Sequence, residues 1–121
     1  MKPRVLVVDD HELVRKGLAL LLEPDWEICG EAENGKEAIR KAQQLKPDLV
    51  ILDIVMPVMG GTTAAREIRR VAPATKIVLL SMHEPVTVQE LGKLGRVDAC
   101  LTKDCSAERL RNTLSAFRPA D

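Results

Sequence analysis

Residues 49–53 of the chain read LVILD, a run of four apolar residues that a carboxylate follows at once. Two similar apolar runs occur, VLVV at residues 5–8 and IVLL at residues 77–80. All three are continuous rather than alternating, which is typical of parallel strands covered by helices on both faces. We therefore expect these runs to be buried strands of one sheet.

Segments with helical spacing separate and follow these strands. Apolar residues recur every three to four positions from Val14 to Leu22, from Ala38 to Leu45, from Ala64 to Ala72 and from Ala107 to Phe117. Weaker patterns predict strands over residues 27–33 and 97–102 and a helix over residues 86–94, which Gly92 weakens. The resulting βαβαβαβαβα order predicts an α/β fold, an open parallel sheet with helices on both faces.

Composition limits the class of protein. The 121 residues fit one domain, and 18 basic against 18 acidic residues give no net charge. The lack of excess positive charge argues against nucleic-acid binding by this chain alone. Apolar runs of at most four residues predict no membrane span or membrane partner. Three cysteines without a Cys-x-x-Cys pair favour a reducing compartment, so we expect a cytoplasmic protein.

Polar residues directly follow four of the predicted strands. They are Asp9 and Asp10 after the first, Asp53 after the third, Ser81 after the fourth and Lys103 after the fifth. Ligands of open α/β sheets bind outside the carboxyl ends of the strands. Five such residues at one edge predict a site there rather than a set of solvated strand ends.

The carboxylates at this edge predict a magnesium site. If the first and third strands are neighbours, their ends lie ~5 Å apart, and Asp9, Asp10 and Asp53 raise one another's proton affinity unless a cation lies between them. Oxygen ligands favour Mg²⁺. Lys103 and Ser81 are suited to hold phosphoryl oxygens, and a carboxylate beside a metal and a lysine is a plausible nucleophile.

Four blocks of the sequence resemble the signature blocks of response-regulator receiver domains. They are VVDDH at residues 7–11, VILDIVMP at 50–57, LLSMH at 79–83 and LTKD at 101–104. The variants are similar to those of the NarL/FixJ-type subfamily, whose receivers usually precede a LuxR-type helix-turn-helix. The resemblance implies a flavodoxin-like (βα)5 fold with strand order 2-1-3-4-5. It also implies a receiver domain over residues 1–118, with residues 119–121 starting a linker to an output domain.

The resemblance implies roles for six residues around one phosphorylation pocket. Asp53 would accept a phosphoryl group from a sensor histidine kinase. The other roles would be ligation of Mg²⁺ by Asp10, Asp53, the backbone carbonyl of Val55 and, through water, Asp9, and phosphoryl binding by Ser81 and Lys103. The chain would then be a switch that assists its own phosphorylation and dephosphorylation, not an enzyme. It would form a homodimer on phosphorylation and reach DNA only through an output domain.

Two features depart from the family pattern. The aromatic switch residue expected three positions before the lysine is Cys100, and the glycine expected four positions before that residue comes one position early, at Gly95. The phosphorylation pocket is therefore expected to be complete, while the output surface of the fourth helix, fifth strand and fifth helix is in question. We interpret His11 and His83 as polar residues at the rim, and the Gly60–Gly61 pair as loop flexibility only.

Three other functions share parts of this pattern. A Mg²⁺-dependent aspartyl-phosphate phosphatase would need a second carboxylate where Val55 stands, and a cap for which the chain has no room. A flavin-binding electron carrier would need a Gly/Ser/Thr-rich loop where residues 9–11 read DDH. A pseudo-receiver that serves only as an interaction scaffold is kept open by Cys100.

Overall fold

A computed structural model describes residues 2–81 and 97–119 and shows a five-stranded parallel sheet. The strands are β1 (Arg4–Val8), β2 (Glu27–Ala32), β3 (Leu49–Asp53), β4 (Lys76–Ser81) and β5 (Ala99–Thr102). They lie side by side in the order β2-β1-β3-β4-β5. The α/β class predicted from the apolar runs and the strand order implied by the resemblance are both confirmed.

Four helices pack on this sheet in the described part of the chain. They are α1 (Glu12–Leu22), α2 (Gly35–Leu45), α3 (Gly61–Val71) and the C-terminal helix (Ala107–Ser115). The Asn34 side chain accepts a hydrogen bond from the Glu37 amide, and Ser106 accepts one from the Arg109 amide, so side-chain oxygens cap α2 and the C-terminal helix. The helix predicted over residues 86–94, and His83, lie outside the described residues.

The core has two layers because successive residues of each strand point to opposite faces. Val50 and Leu52 of β3 pack toward α2 and α3, whereas Leu49 and Ile51 pack toward α1 and the C-terminal helix. All four side chains are fully buried. Burial on both faces explains why this strand reads as a continuous apolar run.

No helix among residues 2–81 and 97–119 combines the length and the apolar character needed to cross a lipid bilayer.

Arg69 of α3 fastens the amino ends of β4 and β5. Its Nη2 lies 2.7 Å from Asp98 Oδ2, and its Nη1 donates to the Thr75 carbonyl at 2.9 Å. The same Asp98 oxygen accepts the Ile77 amide at 2.8 Å. One carboxylate thus joins a helix to both strands at the edge opposite the polar strand ends.

We expect Asp98→Ala to lower the free energy of unfolding by about 2–3 kcal/mol, because it leaves Arg69 and the Ile77 amide without their shared acceptor. Urea denaturation measures the change. Asp104→Ala removes an exposed carboxylate and is the matched control, expected to shift stability by less than about 0.5 kcal/mol. An equal effect of both substitutions would contradict the role of Asp98.

Candidate functional site

The carboxyl edge of the sheet brings the predicted site residues together. Asp53 ends β3 and Ser81 ends β4, and the register pairs Asp53 with Leu80, the residue before Ser81. The Lys103 amide donates to the Ser81 carbonyl at 2.7 Å, so Lys103 begins where β5 leaves the sheet. Asp9 follows β1, and its amide donates to the Ala32 carbonyl of β2 at 3.1 Å. The convergence predicted from the strand ends is thus what the structure shows.

Lys103 bridges two buried carboxylates. Its Nζ lies 2.7 Å from Asp9 Oδ2 and 3.2 Å from Asp53 Oδ2. The exposed fraction of Asp9 is 1 % and that of Asp53 is 3 %. Burial alone would lower the pKa of Lys103, but the two carboxylates outweigh it and hold that pKa above its ordinary value. The lysine is therefore a fixed positive charge at this edge.

The two carboxylates that share Lys103 differ in proton affinity. Burial would raise the pKa of Asp9, but the contacts with Lys103 and the His11 amide hold it below its ordinary value. For Asp53 burial prevails, aided by the charge of Asp9, and the pKa is raised despite Lys103. The environment thus separates one carboxylate that stays ionised from another that is more basic. Asp53 is thus the more basic carboxylate of the pair.

His11 joins Asp9 and Asp10 in a cluster that the sequence did not predict. Its amide donates to Asp9 Oδ1 at 2.9 Å, and its Nδ1 lies 3.3 Å from that oxygen and 3.0 Å from Asp10 Oδ1. The ring is exposed, which agrees with the interpretation of a rim residue, but it also faces both carboxylates. A His directly after two acidic residues at a strand end was the signal available for this contact.

The acidic cluster fits a hard divalent cation. Ligand atoms of Asp9, Asp10 and His11 lie within 4.8 Å of one another. Asp9 Oδ2 and Asp10 Oδ1 are buried; the first lies 2.7 Å from Lys103 Nζ and the second 3.0 Å from His11 Nδ1. Carboxylate oxygens with spare acceptor capacity suit Mg²⁺. The ligand set implied by the resemblance stays a prediction. In the structure the Lys103 ammonium contacts the carboxylates of both Asp9 and Asp53. The Val55 amide donates to Asp53 Oδ1 at 3.3 Å.

Gly61 is a structural requirement of the site, and the interpretation of the glycine pair as loop flexibility only was wrong. A Cβ atom on Gly61 would lie 2.2 Å from the carbonyl oxygen of Asp53. The Gly61 amide donates to the Ile54 carbonyl at 2.7 Å, so α3 begins directly against the end of β3. Sequence could have indicated this only through a glycine at the start of a helix that follows a short loop.

Cys100 lies in β5 opposite Leu79 and packs, half-buried, against the core layer under α2 and α3. Burial raises the pKa of its thiol, which disfavours the thiolate. The position expected to hold an aromatic ring thus holds a small core side chain, and its effect on switching stays a prediction.

A family model and several known proteins are similar in sequence to this chain. The sequence model of the response regulator receiver domain matches residues 5–115. The chain is 42 % identical over 115 residues to the transcriptional regulatory protein YdfI of Bacillus subtilis, covering 93 % of this chain and 54 % of that protein. It is 46 % identical over 117 residues to the response regulator protein VraR of Staphylococcus epidermidis, covering 94 % and 56 %.

A solved structure is similar along nearly its whole length. The signal receiver domain of the putative response regulator NarL from Mycobacterium tuberculosis superposes with a TM-score of 0.85 at 32 % identity, covering 96 % of each chain. The present chain spans about half the length of the two curated relatives that it matches.

Proposed function

The chain belongs to the family of response regulator receiver domains, and on that premise we propose that Asp53 accepts a phosphoryl group from a sensor histidine kinase with the help of Mg²⁺. One observation carries the proposal. Asp53 is a buried carboxylate 3.2 Å from the Lys103 ammonium, and its pKa is raised by burial and by its neighbour Asp9. The carboxylate is thus held beside a cation that can offset the negative charge of a phosphorylated aspartate.

In the proposed reaction an Asp53 carboxylate oxygen attacks the phosphorus of a phosphohistidine. The new O–P bond forms as the N–P bond breaks, and the imidazole leaves with the electron pair of that bond. In this proposal Lys103 binds an oxygen of the transferred group, and Ser81, at the end of the adjacent strand, binds another. Mg²⁺, held by Asp10, Asp53, the Val55 carbonyl and, through water, Asp9, would offset the charge that gathers on the phosphoryl oxygens.

Exposed apolar side chains near Asp9, Asp10 and Asp53 in the chain support docking of a phosphodonor protein. Leu13, two residues after the acidic cluster, is 82 % exposed, and Val55 and Val58 in the loop after Asp53 are 73 % and 72 % exposed. Val58 also has a φ of 73°, which is strained for a β-branched residue. Apolar groups around a polar pocket are typical of a surface that a partner covers.

The wider role follows from the relatives. Response regulators receive phosphoryl groups from histidine kinases and typically act on DNA through an output domain. We propose the same arrangement here: a cytoplasmic switch, not an enzyme, that dimerises when phosphorylated and reaches DNA through a domain beyond the linker at residues 119–121. YdfI, described as a transcriptional regulatory protein, supports the assignment to transcription.

Incubation with acetyl phosphate and Mg²⁺, followed by intact mass, tests the proposal. The wild-type protein is expected to gain one phosphoryl group, mapped to Asp53 after proteolysis. Asp53→Asn should gain none, while Asp104→Asn, which changes an exposed carboxylate, should match the wild type. Label on the Asp53→Asn protein would mean that another residue is the acceptor. A wild-type protein that takes up no label would instead favour the pseudo-receiver scaffold.

A further inference from the structure

Arg15 in the second turn of α1 holds the backbone of the acidic cluster. Its Nη1 donates to the carbonyl oxygen of Asp9 at 2.6 Å, and its Nε donates to Glu31 Oε1 at 3.0 Å. The side chain is only 14 % exposed. From this geometry we propose that Arg15 is a positioning residue for divalent-cation binding, which fixes the direction in which Asp10 presents its carboxylate.

The carbonyl that Arg15 binds belongs to the peptide group that joins Asp9 to Asp10. Asp9 itself is held at three other points: its amide by Ala32, its Oδ1 by the His11 amide and its Oδ2 by Lys103. Among the described residues, His11 is the one whose side chain forms an ion pair with the carboxylate of Asp10. The plane of the peptide before Asp10 therefore governs where that carboxylate lies, and Arg15 fixes this plane.

Glu31 anchors the guanidinium from the other side. It lies in β2 one residue before Ala32, and its own backbone carbonyl accepts a hydrogen bond from Lys41 of α2. Arg15 thus connects α1 to the end of β2, and its bond to the Asp9 carbonyl restrains the Asp9–Asp10 peptide. A lysine has a single donor group and cannot make both bonds at this geometry, whereas the planar guanidinium can.

A role of Arg15 through its charge and a role through positioning Asp10 predict opposite changes in Mg²⁺ affinity when Arg15 is removed. If Arg15 acted only through its positive charge, its removal would strengthen binding of Mg²⁺ to the nearby carboxylates. If Arg15 positions Asp10, its removal weakens binding although the local charge becomes more negative. Partners that orient metal ligands typically change metal affinity about 10–100-fold, so a loss of about tenfold is expected.

The test is a titration with Mg²⁺ alone, followed by amide NMR shifts. Arg15→Gln is expected to bind Mg²⁺ about tenfold more weakly than the wild type, and Arg15→Lys, which keeps the charge, nearly as weakly. Lys16→Gln is the matched control: it removes a charge from the same helix, where the exposed ammonium pairs only with Glu12 among the described residues. Its Mg²⁺ affinity should equal or slightly exceed that of the wild type.

A second readout needs no metal. In EDTA, the His11 amide, which is bonded to Asp9 Oδ1, should exchange with solvent several-fold faster in Arg15→Gln than in Lys16→Gln. Glu31→Gln keeps Arg15 but weakens its anchor, so its His11 amide should also exchange faster than that of Lys16→Gln. This variant carries the test if Arg15→Gln does not fold. Tighter Mg²⁺ binding by Arg15→Gln, or wild-type affinity in Arg15→Lys, would overturn the proposal.

The inference rests on the proposed function, but different experimental results would refute each of them. A wild-type protein that binds Mg²⁺ yet takes up no phosphoryl group from acetyl phosphate would refute the phosphoacceptor role and leave the role of Arg15 in place. A protein that is phosphorylated on Asp53, but whose Mg²⁺ affinity does not depend on Arg15, would refute the positioning role alone.

Discussion

Gly61→Ala is expected to lower the free energy of unfolding by about 3 kcal/mol or more, at the upper end of the range for overpacking. The added Cβ would lie 2.2 Å from the Asp53 carbonyl oxygen, 2.8 Å from the Ile54 Cα and 3.0 Å from the Asp53 carbonyl carbon. All three atoms are backbone, so no side-chain rotation relieves the overlap. Urea denaturation measures the loss.

The strain from Gly61→Ala would fall on Asp53, the proposed phosphoacceptor. The Ile54 amide donates to the Leu80 carbonyl at 3.1 Å, which ties the end of β3 to β4 beside Ser81. Moving Asp53 or Ile54 to make room for a methyl group disturbs that bond and the contact between Asp53 and Lys103. We therefore expect labelling by acetyl phosphate to fall sharply even in the fraction of protein that stays folded.

Gly17→Ala is the matched control for Gly61→Ala. Gly17 lies within α1, and a Cβ there meets nothing within 4 Å. The substitution should therefore raise stability by about 0.5–1 kcal/mol, the ordinary advantage of alanine over glycine in a helix. The two glycine substitutions are thus expected to have opposite signs. If the free energy of unfolding of Gly61→Ala lay within about 1 kcal/mol of the wild-type value, the loop would have accommodated the Cβ atom with little strain.

The sheet could be predicted from sequence because its evidence is local. The LVILD run at residues 49–53 is typical of a strand buried on both faces, and polar residues after four of the five predicted strands mark the edge where ligands bind. These signals require only the order of residues and the rule that parallel strands place their carboxyl ends at one edge. They therefore predicted the topology class and the meeting of Asp53, Ser81 and Lys103.

Contacts between distant residues could not be predicted in the same way. Whether Lys103 bridges Asp9 or Asp10 depends on side-chain directions that differ by one position along the chain, and spacing does not distinguish them. The same holds for Arg15, which reads as one more charged residue on an amphipathic helix until its bond to the Asp9 carbonyl is seen. The opposite pKa shifts of Asp9 and Asp53 arise from those distances together with burial, so they too require the structure.

Lys103→Met is expected to lower the free energy of unfolding of the metal-free protein by about 3–5 kcal/mol at pH 7, the usual effect of leaving buried charges without their partner. Methionine keeps most of the volume of the lysine stem, so the loss reports the ammonium rather than a cavity. The unpaired groups would be the carboxylates of Asp9 and Asp53, both nearly inaccessible to solvent. Urea denaturation in EDTA is the measurement.

The pH dependence of this loss has a definite sign. In the wild type the pKa of Asp9 is lowered, so its contribution is present above the ordinary value of 3.8 and disappears as the pH falls through the lower folded value. The pKa of Lys103 is raised, so its contribution is complete below 10.5 and disappears as the pH rises through the higher folded value. Without the ammonium both carboxylates bind protons more readily in the folded protein. The deficit of Lys103→Met should therefore be largest at neutral pH and shrink toward pH 4.

Asp53→Asn shows how much of the stability loss in Lys103→Met depends on the Asp53 carboxylate. Because the pKa of Asp53 is raised, its ionised form destabilises the folded state at neutral pH, and Asp53→Asn alone should stabilise the metal-free protein. In the double variant, Lys103→Met leaves one buried carboxylate instead of two, so its effect should be clearly smaller than in the wild-type background. A deficit that does not change with pH, and that is equal in both backgrounds, would mean that Lys103 stabilises the protein through packing and not through its charge. The opposite result would identify Asp9, Asp53 and Lys103 as one electrostatic unit, in which the lysine holds the two carboxylates together. In the proposed reaction a phosphoryl group and a cation would take over part of that role.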